Sequence, residues 1–282
     1  MPELPEVETI VRGLRKKLTG WEFSRSEIRM ARCLRGDPDK FCESLRGRKI
    51  LGLARRGKNI IFHLSGGAGL IVHLRMTGQL HLVQARTPPG AHTHALFSFR
   101  NHPDQLCFND TRKFGRIGLE KKGAGGELAS LSRLGPEPLE ISGREFVRRI
   151  QAKKRLIKPL LLDQNFLAGV GNIYADESLH RARIHPRRNS AELSGEELRR
   201  LYRALKRILQ AAILAGGTSV RSYVDSAGSR GGYQNFLHVY QREGEPCRNC
   251  GGTLVRERVG GRSTFFCPRC QPGQPIKERA RK

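Results

Sequence analysis

Apolar residues follow the helical period of 3.6 at the start of the chain and again beyond residue 190, and between these stretches they fall into short strand-like clusters. Val7, Ile10, Val11, Leu14 and Leu18 make the first stripe. It predicts a helix with Pro5 in its first turn and a stop at Thr19-Gly20. Glu3, Glu6 and Glu8 stand toward its positive end, and Arg12, Arg15, Lys16 and Lys17 toward its negative end, which complements the macrodipole. Residues 59–64, 70–74, 80–83, 94–99 and 106–109 are β-branched or aromatic runs. Gly66-Gly67, Gly78, Pro88-Pro89-Gly90 and His102-Pro103 punctuate them, which predicts a mainly antiparallel sandwich or barrel. Leu134-Gly135-Pro136-Glu137-Pro138-Leu139 continues neither element and reads as a linker. Past it, Leu198, Leu201, Tyr202, Leu205, Ile208, Leu209, Ala212 and Ile213 form a long helical stripe. Ser194 and Glu197 have capping-box spacing before it, and Gly216-Gly217 stops it. Ala227-Gly228-Ser229-Arg230-Gly231-Gly232 reads as a mobile loop. No repeat of solenoid spacing is found.

The 282 residues allow two domains and a small third. Charge narrows the class of partner: 52 Lys plus Arg face 26 Asp plus Glu, a net charge of +26 with a pI near 10.7. A folded chain this basic most often binds nucleic acid, so ribosomal proteins, nucleases and repair enzymes all fit. The start of the chain is acidic and amphipathic, where a secretory signal is basic and then continuously apolar. No apolar run approaches ~18 residues, so no membrane span is expected. A cytosolic protein follows, and there Cys33, Cys42 and Cys107 read as reduced, packed thiols.

The other four of the seven cysteines cluster. Cys247-x2-Cys250 and Cys267-x2-Cys270 are sixteen residues apart, room for one β-hairpin between two knuckles that each supply two thiolates. The spacing matches one tetrahedral Zn2+ site. Four thiolates leave the ion no open position, so its role would be structural. Val259-Gly260-Gly261 supplies the hairpin tip and Arg262 lies just beyond it, either inert or facing DNA; the basic charge favours DNA.

Gly169-Val170-Gly171-Asn172 precedes a helical segment containing Ile173, Ala175 and Leu179, with Asn172 placed as N-cap. Free N–H groups at such a start can bind a phosphate, and Lys158 nearby favours this over a helical corner without ligand. Singly, Lys58 reads as a turn lysine, His73 as a strand histidine and Met76 as core filler, while residues 110–115 read as a polar turn with Phe114 as anchor. Taken together, an Arg, a Met and a Phe on loops of a basic face can wedge into a duplex. Pro2 carries separate chemistry. Once Met1 is trimmed it is a secondary amine beside Glu3, and an α-amino group titrates near ~8 where lysine titrates near ~10. Such an amine can form an iminium intermediate; the alternative is a well-capped helix and nothing more.

Seven segments in order carry a family resemblance: residues 1–9, Gly57-Lys58-Asn59, His73-Leu74-Arg75-Met76-Thr77-Gly78, Asp110-Thr111-Arg112-Lys113-Phe114-Gly115, residues 134–139, Gly169-Val170-Gly171-Asn172-Ile173-Tyr174 and the four-cysteine ribbon. Together they resemble the bacterial formamidopyrimidine-DNA glycosylases over nearly the whole chain. The resemblance implies an α+β chain: an N-terminal β-sandwich with an N-terminal helix (1–133), a linker (134–144), a helix-two-turn-helix domain with a lesion-capping loop (145–236), a zinc finger (237–271) and a disordered basic tail (272–282). Double-stranded DNA holding oxidised bases or abasic sites would cross the cleft between the domains, and the enzyme would act as a monomer.

The implied activity is removal of oxidised purines such as 8-oxoguanine and formamidopyrimidines, then β,δ-elimination at the abasic sugar. By the same resemblance Pro2 would attack C1′, Glu3 would serve as acid and base, Lys58 would assist elimination and Glu6 would order the terminus. Lys58, His73, Asn172 and Arg262 would grip phosphates, Arg262 also assisting the second elimination, with His94 and Lys158 as further contacts. Met76, Arg112 and Phe114 would fill the gap in the stack, Arg112 facing the orphaned cytosine. The loop from Thr218, through Ser219, Val220, Arg221, Ser222 and Tyr223, to Tyr233 would cap the flipped lesion. The chain departs from the common pattern at Thr111, often Pro, at Lys113, often Arg, and in the basic run His180 to Arg183. Three other readings follow from the residues: the same fold with a preference for oxidised pyrimidines or abasic sites, a non-catalytic damage-binding protein if Met1 is retained, and a zinc-ribbon RNA-binding protein.

Overall fold

The computed structural model describes residues 2–219, 223–226 and 228–273. The chain divides into two compact units, Met1–Arg133 with Ala212–Gln234, and Leu134–Ala211 with Asn235–Lys282.

The first unit opens with helix α1, Leu4–Leu18, whose stripe is buried along its length, with Val7, Val11, Leu14 and Leu18 at 0 % exposure. Two four-stranded antiparallel sheets follow. One has the order β1 (Phe23–Ile28), β6 (Thr93–Phe99), β7 (Asp104–Asp110), β5 (Gly78–Gln84). The other has the order β2 (Ile50–Arg56), β3 (Asn59–Leu64), β4 (Ala68–His73), β8 (Arg116–Lys121). Their inner faces share one apolar core with α1, built from Phe23, Phe62, Phe97, Phe108 and their aliphatic neighbours. Register places the loops that matter. Asn59 pairs with His73 and His73 with Arg116, so the segment before β3 and the end of β4 lie at the same end of one sheet. Gly78 pairs with Asp110, which brings the β4–β5 and β7–β8 connections together in the same way.

In the first unit three strands and a helix lie outside the sequence expectation. β1 has apolar residues only at its two ends, Phe23 and Ile28, and β2 and β8 each have their apolar run interrupted by a Gly and bounded by basic residues, so none makes a clear apolar cluster. Helix α2, Pro38–Leu45, starts on Asp37, whose carboxylate accepts from the Lys40 N–H at 2.9 Å, but it buries only Phe41 and Leu45.

The second unit holds helices α3 (Gly143–Gln151), α4 (Ile157–Leu162), α5 (Asn172–Ala182) and most of α6 (Gly195–Leu214), then the hairpin β9 (Val255–Val259) and β10 (Arg262–Phe266). The capping box of α6 is formed: Glu197 N donates to Ser194 Oγ at 3.2 Å and Ser194 N to Glu197 Oε2 at 2.8 Å. Residues 212–234, placed from sequence with the helical domain, belong by their contacts to the first unit, because α1 holds the segment that follows α6. Val220, Arg221, Ser222, Ala227 and tail residues 274–282 lie outside the described residues. The described part of the glycine-rich loop is tied down, with Gly231 N donating to Ser219 Oγ and Tyr233 N to Gly217 O.

Candidate active site and nucleic-acid interface

In the first unit Pro2 is buried and leads into Glu3, the N-cap residue of α1, itself 2 % exposed. Glu6, one turn on and 1 % exposed, uses both carboxylate oxygens. Oε2 accepts from Glu3 N at 2.7 Å, and Oε1 accepts from Thr218 N at 2.8 Å. Tyr223 Oη donates to the Glu6 carbonyl at 3.3 Å and to Gly216 O at 3.1 Å. Burial and then the Glu6 charge push the Tyr223 phenol far above its ordinary pKa, so it stays a donor. Gly217 is obligatory here: its φ is +84°, and a Cβ would stand 3.0 Å from Glu6 Cγ. Ser219 Oγ donates to Tyr223 O at 2.8 Å, closing the base of the loop. Glu6 therefore ties the start of the chain to Thr218 and Tyr223, beyond the end of α6.

Lys58 is 6 % exposed and follows Gly57, whose φ of +57° makes the turn into β3. His73, at the end of β4, accepts from Arg75 N on Nδ1 at 3.0 Å, which leaves the ring proton on Nε2. Burial, then the Arg75 and Lys58 charges, push its pKa down to about 3, so the ring is a neutral N–H donor.

The wedge candidates hang on Asp110, which has no role in the sequence reading beyond its motif. It is 1 % exposed and accepts from Thr77 Oγ1, Arg112 N (3.1 Å), Phe114 N (2.8 Å) and Gly115 N (2.7 Å). Met76, next to Thr77, and the Arg112–Phe114 turn are thus fixed by one carboxylate. Phe114 is 42 % exposed and the Arg112 guanidinium lies 4.9 Å over its ring. His94 is corrected. It is 4 % exposed and its Nε2–H donates to the Asp110 carbonyl at 2.7 Å, so it supports the turn from inside and faces no phosphate.

In the second unit two expectations change. Gly171, not Asn172, is the N-cap of α5; Asn172 is its first residue and donates from Nδ2 to Ser263 O at 2.8 Å. One Nδ2 hydrogen remains for a phosphate. Lys158 is fully buried, ion-paired to Asp176 at 2.7 Å, and donates to Ser263 O (2.9 Å) and Thr264 Oγ1 (2.7 Å). It holds the hairpin and is not a phosphate contact. Arg262 opens β10, exposed, next to the Ser263 that Asn172 and Lys158 both grasp. Gly260, at the tip, has no room for a Cβ, which would meet Pro159 Cγ at 2.6 Å.

The four sulfurs of Cys247, Cys250, Cys267 and Cys270 lie within 4.8 Å of one another. Thiolates about 2.3 Å from one ion stand roughly 3.8 Å apart, so the set fits one structural Zn2+ with no open position. Helix α5 carries the finger. Glu177 accepts from the N–H groups of His238, Val239 and Tyr240, each at 2.9 Å, and Asp176 from Phe265 N at 3.1 Å. His180 Nε2 lies 3.5 Å from Cys247 Sγ, which accounts for one member of the unexpected basic run. Gln271 donates to Ile184 O at 2.8 Å and accepts from Cys267 N at 3.1 Å. Of these supports, only the two acids between Asn172 and Leu179 could have been suspected from sequence, as carboxylates on a helix otherwise read as apolar.

A sandwich led by a capped acidic terminus, a helical unit and a four-thiolate finger define a zinc-finger DNA glycosylase of base excision repair. Residues 1–117 match the N-terminal domain of formamidopyrimidine-DNA glycosylase, 134–224 its H2TH domain, and 244–273 the zinc finger found in FPG and IleRS. The chain belongs to the formamidopyrimidine-DNA glycosylase family. It is 47 % identical to the formamidopyrimidine-DNA glycosylase of Pelotomaculum thermopropionicum over 96 % of this chain and 99 % of that one. It is 48 % identical to that of Heliobacterium modesticaldum over 96 % and 100 %. A Lactococcus lactis Fpg solved in complex with abasic-site DNA is 37 % identical, with a TM-score of 0.90 over 96 % of this chain and all of that one. A mutant of the same enzyme in complex with Fapy-dG DNA aligns equally well. No described helix is long and apolar enough to cross a membrane.

Proposed function

We propose that this chain excises oxidised purines, 8-oxoguanine and formamidopyrimidines, from duplex DNA and then cuts the strand at the abasic sugar. The supporting observation is the clamp at the start of the chain: Glu6 fixes Glu3 N and Thr218 N at once, so the amine and the segment that would cover a flipped base share one anchor. With Met1 removed, Pro2 lies before the positive end of α1, which disfavours its ammonium form and leaves a neutral nucleophile.

Pro2 N attacks C1′ as the C1′–N bond to the base breaks and the base leaves with that electron pair and a proton. Glu3 supplies a proton to the sugar-ring oxygen, so the ring opens and C1′ becomes an iminium carbon bonded to Pro2. Loss of a C2′ proton then expels the 3′ phosphate, and loss of a C4′ proton expels the 5′ phosphate. Lys58 stabilises the leaving phosphate in the first elimination and Arg262 in the second. Extrusion of the nucleotide costs a few kcal/mol and leaves a void. Met76 and Phe114 fill it, Arg112 bonds to the orphaned cytosine, and His73, Asn172 and Lys58 hold the flanking phosphates. Thr218, Ser219 and Tyr223 anchor the capping loop, which continues through residues 220–222. The enzyme works as a monomer in the bacterial cytosol.

The test is Pro2→Gly in a single-turnover assay on a duplex with one 8-oxoguanine opposite cytosine. Binding should persist while cleavage falls at least a hundredfold (about 2.7 kcal/mol in the barrier). Equal cleavage rates for variant and parent would refute the assignment.

A further inference from the structure

The groove between α3 and the first half of α6 plays no part in the chemistry above. It is an open groove of about 460 Å3, a size within the range of ligand-holding clefts. Gly143, Val147 and the Tyr202 ring line it, with Arg144, Arg199 and Arg203 around them. The Tyr202 ring is fixed in place. Its hydroxyl donates to Ile141 O at 2.9 Å, Phe146 packs against it with centroids 5.5 Å apart, and a Cβ on Gly143 would come within 3.1 Å of its edge.

Among the described residues nothing compensates the charge of the three arginines. All three are exposed, and among the described residues none of their guanidinium groups has an ion pair or hydrogen bond. The nearest acids by sequence are committed elsewhere: Glu145 to Arg148 at 2.7 Å and Arg149 at 3.8 Å, Glu196 to Arg200 at 3.8 Å, and Glu197 to Arg188 at 3.2 Å. The groove therefore joins an apolar lining to a cationic border.

We propose that this groove docks an acidic peptide segment of another protein, one that carries an aromatic or branched apolar side chain among its carboxylates. Three guanidinium groups offer bidentate bonds to carboxylates, and Val147 and Tyr202 take the apolar side chain out of water. Arg and Tyr are the residue types that anchor such interfaces. A duplex would satisfy the border but has nothing for the lining, since its backbone presents phosphates and sugars.

The experiment is fluorescence anisotropy on the full-length protein with a dye-labelled peptide Asp-Glu-Asp-Asp-Leu-Phe and a control Asp-Glu-Asp-Asp-Ser-Ser. The first should bind at least about tenfold tighter than the control. Arg199→Glu and Val147→Asp should each lose about tenfold in affinity for it, with the cleavage rate on a lesion duplex unchanged. Arg199→Ala and Arg203→Ala, which suit a helix, serve if a charge reversal fails to fold. Equal affinity for the two peptides, no binding of either, or full affinity in the variants would overturn the proposal. So would an Arg199 variant that weakens lesion-duplex binding as much as peptide binding, which would make the groove a DNA contact.

Discussion

Glu6 and Thr218, 212 positions apart in the chain, are joined by one buried hydrogen bond, the Thr218 N–H donating to the Glu6 carboxylate at 2.8 Å. The other oxygen of that carboxylate holds the Glu3 N–H. Two backbone segments, the start of the chain and the stretch at Thr218, therefore depend on one side chain.

Glu6→Gln tests this dependence. An amide presents one NH2 where two oxygens now accept, so either Glu3 N or Thr218 N loses its partner, at a cost of about 1–3 kcal/mol. Single-turnover cleavage of a lesion duplex should fall at least about tenfold, and the Thr218 amide should exchange faster with deuterium. Unchanged cleavage and exchange would contradict the coupling.

Asp110→Asn should loosen the wedge. Three backbone N–H groups and the Thr77 hydroxyl lose a charged acceptor, and bonds to a charged group are worth roughly 1.5–3 kcal/mol each. The expected result is a lower melting temperature together with weaker discrimination between cytosine and other bases opposite the lesion. A variant that is less stable but equally discriminating would leave Asp110 with a purely structural role.

His73 should titrate far below an ordinary histidine, near its value of about 3. The unfolded chain takes up a proton at about 6.5 that the folded chain refuses. This contribution to stability is therefore present above about pH 6.5 and is lost as pH falls toward 3. NMR of the imidazole nitrogens in the folded protein at mildly acidic pH should show the neutral ring with its proton on Nε2. A ring protonated there would contradict the burial and the Arg75 contact.

Lys158→Met removes one partner of a fully buried ion pair, which costs roughly 3–5 kcal/mol. Burial already pushes Asp176 up to about 7 against the pull of Lys158, so without the lysine the acid holds its proton still more firmly. A carboxyl protonated in the folded state and ionised in the unfolded one favours folding at low pH. The deficit measured by denaturant unfolding should therefore widen as pH rises. Because Lys158 touches no phosphate, the salt dependence of DNA binding should keep its slope, whereas Arg262→Ala should reduce it by about one. Equal changes of slope in the two variants would return Lys158 to the DNA surface.

Elements with a strong local signal were legible in the sequence. The stripe of α1, the run 59–64, the capping box at Ser194 and the two cysteine knuckles each carry their partners within a few positions. Those that depend on distant partners were not. Lys158 lies in basic sequence ahead of the Gly169-Val170-Gly171-Asn172 turn and reads as a phosphate ligand, yet its partners Ser263 and Thr264 are 105 and 106 positions away. His94 looks like any strand histidine until β7 brings the Asp110 carbonyl against it. Asn172 has the residue type and place of a cap, but its amide is drawn to Ser263, 91 positions on. The candidate residues Pro2, Glu3 and Glu6 stand out because the terminal motif is short and contiguous. Asp110 did not, because its role is read only from the N–H groups that converge on it.

Pro2 is the residue proposed to bond covalently to the sugar. Borohydride trapping on a duplex with one 8-oxoguanine opposite cytosine, with the crosslinked residue mapped by peptide mass, reads that bond itself. The expected result is a crosslink at Pro2 that is absent on undamaged duplex. A crosslink at another residue, or none on oxidised-purine, oxidised-pyrimidine and abasic duplexes alike, would contradict it.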